Sequence, residues 1–223
     1  MNKIGIYPSI MCSKPWYVKG FLEAFEKVGV TSVHYDVMDG HYVPNIVLGT
    51  PTFNDIHEVS SLPIDVHLMC EEPEKFVDYF KFKEGDMCCF HPECCKQPYR
   101  LLQYIKSKNV KAGLAISPAV TLDYVKNCLP AIDYVMFMAI NPGFAGQKML
   151  PNAIDKLKEL SELCKQADHK IEIIVDGNTI IENAKKMVAA GATGLVGGTT
   201  LKVHENPEAF EKGYYEYIKA INE

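Results

Sequence analysis

Two short stretches carry imidazole and carboxylate side chains at alternate positions: His34-Tyr35-Asp36-Val37-Met38-Asp39-Gly40 and Asp65-Val66-His67-Leu68-Met69. Alternate residues of a β-strand share a face. His34, Asp36 and Met38 then lie together, as do Asp65, His67 and Met69. If both faces point into a core, two imidazoles and two or three carboxylates meet there. Asp176, at the end of Ile171–Asp176, can join them from another strand. Histidine and aspartate are donors that a borderline divalent ion such as Zn²⁺ accepts. Paired carboxylates can also move protons to and from a reacting carbon. Hydrogen-bonded core residues are the other reading of the same pattern, and spacing alone leaves both open.

Glycines supply a second signal. Gly143-Phe144-Ala145-Gly146, Gly177 and Gly198 each follow an apolar run. Backbone N–H groups in such loops can hold a phosphate, helped by a helix N-terminus. Ordinary turns needing positive φ would use glycine in the same places.

These residues need a scaffold that brings distant segments to one place. Short apolar runs recur at Ile4–Ile10, Ser32–Met38, Pro63–Met69, Asp86–His91, Val110–Ile116, Asp133–Ile140, Ile171–Asp176 and Thr193–Gly197. Several are continuously hydrophobic, as expected of parallel strands buried on both faces. Between them, helical periodicity predicts helices over Trp16–Val28, Pro73–Phe82, Pro98–Lys108, Pro151–Cys164, Thr179–Ala190 and Pro207–Ile221. Pro73 suits a first helical turn and Thr179 an N-cap. Eight strand–helix units without a linker predict a single α/β domain, a (β/α)₈ TIM barrel over residues 1–223. An open doubly wound sheet is disfavoured, because no GxGxxG follows the first strand. In a barrel the carboxyl ends of the strands carry the chemistry, and the candidate residues fall at those ends.

Composition narrows the function. The chain has 223 residues, 48% of them hydrophobic and 23% charged, with 23 basic and 28 acidic side chains for a net charge of −5. That is globular composition, and it supplies no bulk attraction for nucleic acid or an anionic membrane. No apolar run is long enough to span a bilayer. Pro8 interrupts the first apolar stretch, so no signal peptide is read there, and a cytoplasmic location is expected. Eight cysteines are then expected to be reduced thiols. Cys88-Cys89-Phe90-His91-Pro92-Glu93-Cys94-Cys95 invites a metal reading. Its spacing is not that of a CxxC pair, and adjacent strand cysteines point to opposite faces. Buried strand thiols plus a loop pair are the expectation.

The segments YPSIMC, HYDVMDGHYVPN, DVHLM, INPGFAGQ, VDGN and GGTT, in that order from Tyr7 to Lys202, resemble the ribulose-phosphate 3-epimerase family and its close relative, D-allulose-6-phosphate 3-epimerase. The resemblance implies a metal-dependent isomerase that inverts carbon 3 of a phosphorylated ketose through an enediolate. By position it implies that His34, Asp36, His67 and Asp176 hold one divalent ion, Zn²⁺ or Fe²⁺, with Mn²⁺ and Co²⁺ as further options. Asp36 and Asp176 match the acid/base pair. Ser9, His67, Met38, Met69, Met138, Gly143, Phe144, Ala145, Gly146, Gly177, Asn178, Gly198 and Thr199 match substrate contacts. Assembly into a homo-oligomer is also implied.

Three positions depart from the usual NPGFGGQ, DGG and GSAIF forms of the pentulose enzymes: Ala145, Asn178 and Thr199. They leave the four ligand positions intact and bear on substrate length, keeping D-allulose 6-phosphate as the alternative substrate. A decarboxylase with a D-x-K-x-x-D strand is disfavoured by His67 at the lysine position. A Schiff-base aldolase is disfavoured by Met138, since its chemistry needs lysine. A catalytically silent phospho-sugar-binding protein would be expected to have lost Asp36, Asp176 or a histidine.

Overall fold

The computed structural model describes residues 4–222, so residues 1–3 and 223 of the expected barrel lie outside the described residues. Strands β1 (Gly5–Pro8), β2 (Val33–Asp39), β3 (Ile46–Val47), β4 (Ile64–Met69), β5 (Met87–Phe90), β6 (Lys111–Ile116), β7 (Tyr134–Met138), β8 (Glu172–Asp176) and β9 (Gly194–Gly197) form one sheet. Its order is β1-β9-β8-β7-β6-β5-β4-β2-β3. Every pairing is parallel except β2 with β3, a two-residue antiparallel ladder of Met38 with Val47 and Asp39 with Ile46. The ring closes between β1 and β2. A parallel bridge joins Ser9 to His34, and Thr31 N–H donates to Ile6 O at 2.9 Å. The result is an eight-stranded parallel barrel with a short flap strand at the end of β2.

Outside the ring lie α1 (Val18–Val28), α2 (Thr50–Val59), α3 (Pro98–Lys106), α4 (Asp123–Cys128), α5 (Ala153–Cys164), α6 (Ile181–Ala189) and α7 (Pro207–Asn222). Their apolar stripes pack on the outward strand residues. Phe21 and Phe25 of α1 meet Phe210 of α7 at centroid distances of 6.2 and 4.7 Å. Such aromatic pairs add about 0.5–1.5 kcal/mol beyond area burial. Gly29 ends α1 in the left-handed conformation, φ 71°, where glycine carries no Cβ penalty.

Two expectations about helices need correction. Residues Pro73–Phe82 are not a helix but two 3₁₀ turns, Pro73–Lys75 and Val77–Tyr79. Phe80 leaves the second turn extended, and its ring and that of Phe82 pack on Phe53 at 5.1 and 5.6 Å. Tertiary packing overrides the local pattern there. Thr179 does not cap α6, whose N-cap is Ile180. The Thr179 hydroxyl instead donates to Val196 O at 2.6 Å, tying the β8 loop to β9. The helices α2 and α4 lie in stretches for which no helix was expected.

The barrel interior holds Tyr7, Met87, Cys89, Ala115, Tyr134, Met136, Met138, Ile174 and Val196. Cys88 faces the helices and Cys89 the interior, as alternation requires. Two aromatic rings need glycine neighbours. A Cβ on Gly113 would lie 2.6 Å from the Tyr134 ring, and one on Gly194 would lie 2.6 Å from the Tyr7 ring. Tyr134 is fully buried, so it has nowhere to retreat. Gly113→Ala should therefore destabilise the fold by about 1–3 kcal/mol in a denaturant titration. A change within about 0.5 kcal/mol would contradict this packing.

Candidate active site at the carboxyl end of the barrel

Strand register assembles the site. His34 stands beside Asp65, Asp36 beside His67, and Met38 beside Met69 across the β2–β4 ladder. Asp176 comes from the end of β8, next to Met138 of β7. One donor atom from each of His34, Asp36, His67 and Asp176 lies within 4.8 Å of the others. His34 and His67 are wholly buried and Asp36 is 4% exposed. These groups form the floor of the barrel mouth.

Each ring is aimed by its second nitrogen. His34 Nδ1 meets Asp65 Oδ2 at 2.8 Å, leaving Nε2 3.2 Å from Asp36 Oδ1. Asp65 also accepts the Tyr134 hydroxyl at 2.8 Å. It thus sits a layer below the mouth and orients His34 rather than facing the cavity. His67 Nε2 meets His91 Nε2 at 2.9 Å. Its Nδ1 faces Asp36 Oδ1 at 3.5 Å and Asp176 Oδ2 at 4.0 Å and is buried without a hydrogen-bond partner. Ser9 donates its hydroxyl to Asp36 Oδ2 at 2.6 Å.

The electrostatics of the two carboxylates diverge. Burial raises the Asp36 carboxyl, yet the His34 imidazole 3.2 Å away acts against burial, and the carboxyl lies below the usual carboxylate range. Burial raises Asp176 as well, and the Asp36 charge adds to the rise. His34 is pulled down by burial but driven well above its ordinary value by Asp36 and Asp65. Burial pushes His91 down to about 4, which keeps that ring neutral.

An orphaned buried nitrogen between two carboxylates is a costly arrangement unless something electron-accepting completes it. Two nitrogens and two carboxylate oxygens are a donor set that suits a divalent cation. The four side chains could hold one such ion. Ion capture at this set should require deprotonated imidazoles, so bound Co²⁺ should fall as pH is lowered from 8 to 5. Visible absorbance of the cobalt-loaded protein checks this, and pH-independent occupancy would contradict it.

Above the floor opens a cavity of about 260 Å³. Of the residues expected to touch substrate, Ser9, Met38, Met69, Met138, Gly143, Phe144, Ala145, Gly146, Gly177, Asn178, Gly198 and Thr199 all line it, as do Asp36 and Asp176. His67, also expected to touch substrate, does not line the cavity, and it and His34 are wholly buried in the floor behind the two carboxylates. Gly143, Gly146 and Gly177 have φ of 113°, 82° and 102°. Gly198 is required differently, since a Cβ there would lie 2.4 Å from Cys12 Sγ. Asn178 is left-handed, φ 52°, and its side-chain carbonyl accepts from Asn183 Nδ2 at 2.6 Å.

Several lining residues were not anticipated: Met11, Cys12, Ile140, Gln147, Ile180 and Thr200. Gln147 clamps the glycine loop, donating to Asn141 O at 2.7 Å and Phe144 O at 2.8 Å. Burial pushes the Cys12 thiol up to about 12, with Asp36 and Asp176 adding to the rise, so it stays protonated. His91 was also missed as a site residue. Its signal was alternation, because it follows Cys89 by two positions and shares the inward face.

A barrel with buried acid and imidazole groups gathered at its carboxyl mouth is the layout of a (β/α)₈-barrel enzyme. Solved structures agree on the fold. A tryptophan synthase α-subunit variant from Pyrococcus furiosus superposes with a TM-score of 0.69 at 13% identity, covering 98% of this chain and all of that one. The chain belongs to the ribulose-phosphate 3-epimerase family, whose sequence profile matches residues 5–202. It is 35% identical over 199 residues to the ribulose-phosphate 3-epimerase of Bacillus subtilis, spanning 89% of this chain and 92% of that enzyme. It is also 35% identical over 223 residues to the Methanocaldococcus jannaschii enzyme of the same name, spanning 100% and 94%. The chain is thus an isomerase of the epimerase class that acts on carbohydrate phosphates. Among the described residues, no helix is long and apolar enough to cross a membrane.

Proposed function

We propose that the chain interconverts D-ribulose 5-phosphate and D-xylulose 5-phosphate by moving the proton on carbon 3, with Asp36 and Asp176 as the two acid/base groups. The observation that carries this reading is the convergence of those carboxylates, from strands that do not pair, onto one cavity floor. A hydrogen on carbon 3 is acidic because the neighbouring carbon is a ketone. One ionised aspartate takes that proton, and the electron pair moves into the ketone to give an enediolate. The other aspartate, protonated, returns a proton to the opposite face as the pair moves back. Inversion needs one group per face, and each contributes about 10²–10⁴-fold.

His34, Asp36, His67 and Asp176 would hold one divalent ion, with Zn²⁺ and Fe²⁺ the first choices and Mn²⁺ and Co²⁺ next. Bound there, such an ion supplies Lewis-acid stabilisation of developing negative charge on oxygen. Ser9 holds Asp36 in place through its 2.6 Å hydrogen bond. Met38, Met69 and Met138 offer polarizable walls without an acidic proton to exchange with the intermediate. The loops at Gly143–Gly146, Gly177–Asn178 and Gly198–Thr199 would take the phosphate on backbone N–H groups. Residues 1–223 would act as one barrel unit. All eight cysteines are free, which supports a reducing, cytoplasmic setting. Family membership supports a homo-oligomer, which sedimentation would read.

Asp36→Asn and Asp176→Asn should each lose at least about 10²-fold in turnover while keeping the fold. Near-normal turnover in either variant would remove that residue from the proton-transfer role. In D₂O, deuterium should enter at carbon 3, and full retention of substrate hydrogen would contradict the mechanism. D-Ribulose 5-phosphate should outpace D-allulose 6-phosphate in kcat/KM. The reverse order would reassign the substrate to the hexulose, and binding without turnover of either would mark a silent phospho-sugar-binding protein.

A further inference from the structure

The two site histidines are aimed by unlike partners. His34 leans on a carboxylate, Asp65, which can only accept a hydrogen bond when ionised. His67 leans on another imidazole, His91. A neutral imidazole can donate or accept, so this contact alone does not decide which nitrogen of His67 carries hydrogen. The decision must come from farther out.

Beyond His91 lies a closed triangle. His91 Nδ1 is 2.9 Å from Ser117 Oγ and 3.0 Å from the Tyr42 hydroxyl, and those two oxygens are 2.7 Å apart. The Tyr42 hydroxyl is also 2.8 Å from Glu93 Oε1, and Glu93 Oε1 is 3.6 Å from His91 Nδ1. Glu93 as a carboxylate accepts only, so the Tyr42 hydrogen is committed to it. Ser117 then donates to the Tyr42 oxygen. Were His91 Nδ1 bare, the tyrosine lone pairs would face it with no hydrogen between. With hydrogen on Nδ1, every contact of the triangle is satisfied. His91 Nε2 is then the acceptor, and His67 Nε2 must be its donor. Nδ1 of His67 is left with a free lone pair, facing Asp36 and Asp176.

The groups around this chain are held from several sides. Lys156 Nζ donates to the carbonyls of Ser117, Pro118 and Val120 at 2.9, 2.9 and 2.6 Å, pinning the β6 loop. Asp39 Oδ1 accepts Tyr42 N–H at 3.0 Å, and its Oδ2 accepts Glu71 N–H at 2.8 Å. The alternative tautomer would aim an Nδ1 hydrogen at oxygens 3.5 and 4.0 Å away. It would also block that nitrogen as a ligand.

We propose that Glu93, acting through Tyr42, Ser117 and His91, fixes the hydrogen of His67 on Nε2 and so readies Nδ1 for a divalent cation. His91 and Glu93 are positioning residues. The proposal rests on the reading of the four-residue cluster as a metal centre, and the test separates the two.

The test begins with long-range ¹H–¹⁵N spectra of the metal-free protein, which distinguish the two tautomers of each histidine. His67 should be hydrogenated on Nε2 and His91 on Nδ1. Glu93→Gln, which places a donor at the end of the chain, and Tyr42→Phe, which cuts it, should mix the tautomers and weaken Co²⁺ binding. His91→Gln should weaken it about 10–100-fold. Glu93 lies at the surface end of the chain, so its variant should fold normally, and a merely structural role would leave the tautomers unmoved. Hydrogen on Nδ1 of His67 in the unaltered protein would overturn the proposal. So would wild-type cobalt affinity in both outer variants. The tautomer readout needs neither metal nor substrate, so it decides the hydrogen's position even if no ketose phosphate is turned over. A protein with the expected tautomers that binds no cobalt would instead overturn the metal-centre reading and the capture role with it.

Discussion

Two imidazoles and two carboxylates share one buried space at the mouth of this barrel, and charges in such a place are stable only when each is answered. Removing one member of a buried charged pair typically costs about 3–5 kcal/mol. Every neighbouring feature can be traced to that demand. Asp65 answers His34 from below, Tyr134 answers Asp65, and Gly113 leaves room for the Tyr134 ring. Ser9 answers Asp36 at the same point where the barrel closes. Among the described residues of the site, the buried atom left without a hydrogen-bond partner is His67 Nδ1, turned toward both carboxylates. The packing of the lower barrel and the chemistry of its mouth are one problem.

The same demand explains why the site has a buried floor and a permissive roof. The four side chains that could hold a cation come from strands, where register fixes them to a common layer. Its upper wall comes from loops, where Gly143, Gly146 and Gly177 take positive φ and Gln147 holds the turn by two carbonyls. Ala145, Asn178 and Thr199, the positions expected to bear on substrate length, also lie in loops of that upper wall.

Much of this was legible in the chain. Period-two spacing put His34, Asp36 and Met38 on one face and His67 with Met69 on another, because strand geometry is local and rigid. The same rule separated Cys88 from Cys89 and disfavoured the cysteine cluster as a metal site. Depth was not legible. Asp65 shares the face of His67, yet lies a layer below the mouth, because register and shear belong to the assembled ring. His91 was obscured by its cysteine neighbours, and its partners Tyr42 and Ser117 come from other segments of the chain. Pro73–Phe82 carried a helical start, but the Phe53–Phe80–Phe82 cluster drew the chain extended. Thr179 looked like a cap and instead serves the β8–β9 junction. In each case contacts distant in sequence decided a locally ambiguous residue.

His34, Asp36, His67 and Asp176 would form one cation site, which His67 would enter through Nδ1. Anomalous diffraction from crystals of the cobalt-loaded protein tests it most directly. One strong peak should be enclosed by those four side chains, with Nδ1 and not Nε2 of His67 facing it. A peak elsewhere with this cluster empty, or a His67 ring turned to ligate through Nε2, would contradict it.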